Sequence, residues 1–287
     1  MPEPTAVTGP ITAALPGRRL GGRLGHAAFW IGIWAVALAA LLYLLLPTLI
    51  IVFASFTAGE YITFPPQGLS LRWFVRLLAL EEVRVSAWRS LFVAIAATAG
   101  SVVLGVAAAF PLVRSRFVGR EALNAFLMSP LILPSLVYGL AALLFLSAIG
   151  VPLSLPVLIL SHVAIIVPYV LRTTVASLAL LDPHLEEAAR SLGANAWKTF
   201  LRVTLPNLLP GITTGAAFAF ISSFDNLTVS LFLAGPRVET LPIRLFAMIN
   251  FDLDPAAAAI SAVLVLITFA VVLLGHWTVG LTRIARL

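Results

Sequence analysis

Long apolar runs alternate with short charged intervals along nearly the whole chain. Runs at 31–56, 91–113, 123–147, 152–171, 208–234 and 256–280 have the length, about 20 helical residues, that a bilayer core requires. The pattern predicts an all-α, polytopic membrane protein with about six transmembrane helices. The ends of the runs carry ordinary stop signals. Pro111 and Arg114 close the second, Asp254-Pro255 supplies a cap and first-turn proline for the sixth, and Trp30, Trp88 and Trp277 sit at interfacial positions. His162 and Pro168-Tyr169 predict that the fourth helix is kinked and partly lined by protein, and Pro130 and Pro134 mark further bends. Gly211 with Gly215, and Ser101 with Gly105 and Ala109, form small-residue rows that let helix backbones approach closely.

The cationic residues sort into two sets. One frame puts Arg18, Arg19, Arg23, Arg114, Arg116, Arg120, Arg172, Arg190, Lys198, Arg202, Arg283 and Arg286 on one side of the membrane. The other side then holds Arg72, Arg76, Arg84, Arg89, Arg237 and Arg244. Because cytoplasmic loops retain Lys and Arg, the larger set is cytoplasmic, and an even number of spans places both termini there. The expected divisions are a cytoplasmic tail at 1–26, a first transmembrane helix at 27–56 and a periplasmic segment at 57–88. A transmembrane core at 89–280 follows, with a cytoplasmic loop at 172–207, and 281–287 ends the chain on the cytoplasmic side. The first run far exceeds a signal-peptide core and no small-residue cleavage site follows it, so it stays as a span.

Composition narrows the class. A chain of 287 residues that is 61% hydrophobic and 10% charged cannot bury its apolar side chains in one water-soluble globule. Its net charge of +6 lies in short arginine groups beside apolar runs, which suits lipid headgroups and not nucleic acid. With no Cys there is no disulfide framework, thiolate metal site or cysteine nucleophile. Glu186-Glu187 and Arg190 superficially match the glutamate motif of intramembrane prenyl-protein proteases, but one residue is missing from the spacing and the pair lies in a polar loop. The chain holds neither a G-x-S-x-G nor an H-E-x-x-H motif, and no phosphate loop for ATP. An enzyme is not expected, and no metal or cofactor is assigned.

The loop at 172–207 is the most structured polar stretch. Asp182-Pro183 caps and opens a short helix with Glu186 and Glu187 near its positive end. Leu185, Ala188, Ala189 and Leu192 recur at helical spacing and make one apolar face. Gly193 supplies a left-handed terminator, Asn195 caps a second helix, and Pro206 is expected to stop it. Such a bracket suits docking to another protein or lying on anionic headgroups, and physics alone leaves both open.

Glu187-Ala188-Ala189, then Gly193, then Val203-Thr204-Leu205-Pro206 resembles the EAA motif of permease subunits of binding-protein-dependent ABC importers, with Val203 where Ile is usual. The stretches at 64–74, 162–170, 223–236 and 240–246 ("FPPQGLSLRWF", "HVAIIVPYV", "SFDNLTVSLFLAGP" and "TLPIRLF") are similar to the spermidine/putrescine group of these permeases. The resemblance implies a type I importer transmembrane domain in a bacterial inner membrane, with Glu187, Ala188, Ala189, Gly193, Leu205 and Pro206 coupling it to an ATP-binding cassette ATPase dimer. It further implies a second permease, identical or homologous, and an external solute-binding protein. ATP and Mg belong to the ATPase, and this chain binds no cofactor.

Asp225 is the one acidic residue placed inside a predicted span, roughly 17 residues in from its cytoplasmic end, or about 25 Å of helix. With Ser222, Ser223 and Asn226 it forms the candidate substrate pathway, since an intramembrane carboxylate matches a cation. A purely structural role, bonded to neighbouring Ser and Asn or to an Arg of the second permease, is the alternative. His162 is expected to be a hydrogen-bonded helix contact and not a metal ligand. The expected function is alternating-access import of a small cationic solute of the spermidine/putrescine kind. Another small amine, an amino-acid-like or aminophosphonate solute, or an ion-coupled secondary transporter are the alternatives.

Overall fold

The computed structural model describes residues 20–235, 238–252 and 255–284. The expectations at 1–19, Arg237, Asp254 and 285–287 lie outside the described residues, as do the side chains of Arg23, Trp277 and Arg283.

The chain forms two units, 1–50 and 51–287. The first is dominated by α1 (Leu20–Ala54), whose apolar stretch from Phe29 is exposed on every side, as a helix made for lipid or for other helices is. In the second unit the expected external segment carries α2 (Arg72–Ala79), and α3 (Glu81–Arg114) begins well before the predicted second span. After these come α4 (Arg120–Ile132), α5 (Ser135–Ala148), α6 (Leu155–Leu180), α7 (Pro183–Ser191) and α8 (Ala196–Thr199). A π-helical turn (Phe200–Thr204) leads into α9 (Leu205–Phe224), then α10 (Leu227–Leu233), α11 (Leu241–Ala247) and α12 (Ala256–Ile284). Among the described residues five helices are long and apolar enough to cross a membrane, and α4 with α5, taken as one bent span, makes the sixth.

The core is α3, α6 and α9. Their small residues determine how closely they pack. A Cβ on Gly211 would overlap Ser177 Oγ and lie 2.8 Å from the Thr173 carbonyl oxygen; on Gly215 it would lie 2.8 Å from Val170 Cα. Ser101, Gly105 and Ala109 are buried on α3, where Gly105 faces Val170 and Leu171. Both predicted rows are therefore helix contacts, with α6 the element that each touches. The C-terminal ends of α3 and α6 lie together, and Arg114 Nη2 donates to the Leu181 carbonyl at 3.2 Å. At the other end of α3, Ser90 Oγ accepts from the Leu241 N–H at 2.8 Å, and Arg244 pairs with Glu82.

Four expectations need correction. The third predicted span, 123–147, is two helices bent by 106°, because Pro134 cannot donate to the ladder and holds Leu133 in an extended conformation. The fifth, 208–234, is interrupted at Asp225-Asn226, where Asn226 caps a new helix. Pro206 does not stop the second bracket helix: the wider π turn precedes it, Asn207 Nδ2 bonds the Val203 carbonyl at 2.7 Å, and one span runs over Ala196–Phe224. The loop at 172–207 is also shorter than expected, since α6 continues through Pro168 to Leu180.

Candidate functional site

Two zones bring the candidate residues together, one at each end of the Ala196–Phe224 span. At the first, Asp182 Oδ1 accepts from the His184 N–H at 3.0 Å, and Pro183 fills the first turn of α7. The helix ends in a Schellman arrangement in which the Ala194 N–H bonds the Ala189 carbonyl and the Gly193 N–H bonds the Arg190 carbonyl. That geometry needs a left-handed residue, and Gly193 has φ +85°. Asn195 Oδ1 then accepts from the Lys198 N–H at 2.8 Å and starts α8.

The two sides of α7 differ. Glu186 is turned inward: its side chain is 17% exposed, lies 3.7 Å from Arg114 Nε, and accepts from Thr204 Oγ1 at 2.7 Å. One carboxylate thus ties α7 to the foot of α3 and to the π turn that feeds α9. A cavity of about 340 Å³ lies beside this tie, lined by Phe110, Arg114, Glu186, Arg190, Phe200 and Thr204. Glu187 is turned outward, 68% exposed, and accepts from His184 Nδ1 at 3.0 Å. This bond, then the charge of Asp182, raises the His184 pKa above its ordinary value. Leu185, Ala188 and Leu192 are exposed, Leu192 at 90%, while Ala189 is half-buried. Trp197 is exposed next to them and stacks on Phe200. Leu205 and Pro206 lie beyond the π turn, on the first turn of α9.

At the second zone α9 ends on Phe224. Asp225 occupies the bridge between helices with φ −92° and ψ 8°, and Asn226 Oδ1 accepts from the Val229 N–H at 2.9 Å. Ser223 and Ser230 do not face Asp225. They converge on His162, which is 1% exposed: Nδ1 is 2.8 Å from Ser223 Oγ and Nε2 is 3.1 Å from Ser230 Oγ. The expected His162 helix contact is present. Ser223 and Asn226 of the candidate pathway do not lie on one continuous helix, because α9 ends on Phe224 and α10 begins after Asn226. Asp225 is exposed, Ser222 and Asn226 are half-buried, and the Asp225 carboxylate has no hydrogen bond or ion pair among the described residues. No cluster of His, Cys, Asp or Glu suited to a metal occurs among the described residues.

Sequence reasoning missed the inward role of Glu186 and the serines on either side of His162. The seven-residue interval between Ser223 and Ser230 hints at a common target, but only the break at Asp225-Asn226 brings both within reach of one imidazole.

Long helices packed through small residues, a broken span with a polar interruption, and a capped bracket at the opposite end define a multi-pass membrane transport subunit. The chain belongs to the family of binding-protein-dependent transport system inner membrane components, whose profile matches residues 101–281. It is a permease subunit of the ABC importer type, an inner-membrane protein. It is 30% identical over 234 residues to the spermidine/putrescine transport system permease protein PotC of Haemophilus influenzae, covering 82% of this chain and 91% of that protein. It is 32% identical over 236 residues to the putrescine transport system permease protein PotI of Escherichia coli, covering 80% and 84%. In fold it is similar to a chain of a bacterial alginate ABC transporter crystallised with an alginate pentasaccharide-bound periplasmic protein. The TM-score there is 0.70 at 16% identity, over 93% of this chain and 99% of that one.

Proposed function

We propose that the chain is one permease of a pair that imports a small cationic solute, of the spermidine/putrescine class, by alternating access. The observation that carries this reading is the Asp225 carboxylate, exposed at a break in a membrane-spanning helix with no partner among the described residues to neutralise it. The local structural alternative finds no bond among the described residues: Ser223 bonds His162, and Asn226, whose Oδ1 caps α10, makes none to Asp225. An ammonium group completes the site, with Ser222 beside it. The relatives named for spermidine/putrescine and putrescine transport favour a polyamine over the other amines.

The bracket is the input for work. Leu185, Ala188, Leu192 and Trp197 present apolar surface to a groove on an ATPase dimer that carries ATP and Mg, with Glu187 and Gly193 at the same surface. ATP-driven closure of that dimer moves α7, and the differential contact of α7 with the two nucleotide states biases the path between inward and outward facing. In this orientation α7 and both termini are cytoplasmic, and α2 and α11 face the external binding protein that delivers solute.

In proteoliposomes holding the complete transporter, Asp225→Asn lowers ATP-dependent spermidine uptake by about tenfold, the worth of one charge-assisted contact, without lowering the yield of assembled complex. Equal uptake by the two forms removes Asp225 from the pathway.

A further inference from the structure

The break in the fifth span is bridged by one buried side chain. His162 comes from the N-terminal third of α6 and touches both halves of the interrupted helix, Ser223 on the last turn of α9 and Ser230 on α10. The residues between the two serines include Asp225 and Asn226, and so contain the break itself. We propose that His162 is a positioning residue that clamps α9 and α10 against α6 and thereby determines where the Asp225 carboxylate stands in the solute path.

The chemistry of the ring suits this task. A neutral imidazole has one donor nitrogen and one acceptor nitrogen, pointing outward from different edges of one rigid ring. A serine hydroxyl both donates and accepts, so each ring nitrogen is satisfied whichever tautomer is present. An amide side chain carries its donor and acceptor at a single end and cannot span the two serines. A helix interrupted inside a bilayer frees backbone groups that its neighbours must hold in place. Asn226 satisfies one of these from within, through the Val229 N–H. His162 holds the two flanks from outside, at a point almost closed to solvent. The surrounding contacts are apolar and non-directional: Val229 and Leu233 pack with Leu158 in one cluster, and Val163 and Ile166 with Ala219 in another. The two serine bonds are the directional contacts that give the break a fixed register on α6. Loss of either leaves the elbow free to tilt, which blurs the site for the cation while the spans remain packed.

The role in solute positioning rests on the transport reading above, whereas the clamp itself does not, and the test separates them. Hydrogen exchange is measured on the purified full chain in lipid nanodiscs for the unsubstituted protein, His162→Gln and Ser230→Ala. The expected result is exchange about tenfold faster at the amides of residues 226–230 in both variants, the loss of one hydrogen bond, with residues 205–215 unchanged. Unchanged exchange at 226–230, or a rise spread evenly over 51–284, overturns the clamp. In the complete transporter, the same variants are expected to raise the half-saturating spermidine concentration about fivefold with the maximal rate nearly unchanged. Ser230→Ala should add nothing to His162→Gln. A lowered maximal rate with unchanged half-saturation overturns the positioning role. If the unsubstituted transporter moves no polyamine, the substrate reading fails, and the exchange result still decides the clamp.

Discussion

The inward and outward sides of α7 carry neighbouring glutamates with opposite surroundings. Glu186 is mostly buried and bonded to the hydroxyl of Thr204 beside the guanidinium of Arg114, while Glu187 is in water with an exposed histidine. The difference separates attachment from recognition on one short helix. Contacts on the inward side tie α7 to α3 and to the turn that feeds α9, and the outward side is exposed. A helix of nine residues is too short to hold its own shape without such support.

Substitutions on each side test this division. Leu192→Asp places a charge on the outward apolar face, and the expected outcome is at least about thirtyfold weaker retention of the ATPase, the cost of a disrupted hot spot. Co-purification with the tagged permease measures it, and full retention shows that the ATPase sits elsewhere. Glu186→Ala removes the inward tie, leaves Thr204 Oγ1 without its acceptor, and costs about 1–3 kcal/mol. The ATPase is expected to remain bound while uptake per ATP falls about fivefold, because motion of α7 no longer reaches the spans. Loss of ATPase binding in this variant joins the two sides into one surface.

The smallest effect concerns pH. The raised pKa of His184 comes first from its bond to Glu187. Its stabilising contribution is fully present below the ordinary histidine value of 6.5 and is lost as pH rises through the raised folded value. Both side chains are exposed, so the change in stability is slight. Glu187→Gln returns the His184 midpoint toward 6.5, which a nuclear magnetic resonance titration of the ring measures directly. An unmoved midpoint shows that Asp182, and not Glu187, sets the charge state.

Much of this architecture was legible in the apolar runs, because a bilayer forces helix length and helix ends to follow hydrophobicity. The capped bracket was equally legible, since Asp182, Gly193 and Asn195 each act within a few residues of chain. Pro206 and Asp225 misled for a common reason. A proline inside a run looks like a stop, yet the π turn and the Asn207 side chain accommodate Pro206 and the helix continues. Asp225 looks like one polar residue on an unbroken face, yet Asn226 competes for the backbone and opens a second helix. In both cases an asparagine a few residues away takes up a backbone group, Asn207 at Val203 and Asn226 at Val229, and its residue type alone does not say whether the helix continues or breaks. The partition between Glu186 and Glu187 was hidden similarly, because it depends on Arg114 and Thr204, far away along the chain.

The π turn has a mechanical corollary. Because it lets the backbone run unbroken from Ala196 to Phe224, 29 residues act as one beam, about 43 Å long at helical rise. A tilt of about 5° at the Trp197 end displaces the Ser223 end by roughly 4 Å on that length, more than the reach of a hydrogen bond. Any tilt at the Trp197 end is thus largest where the beam meets His162, and the joint most exposed to leverage is the one that two serines secure.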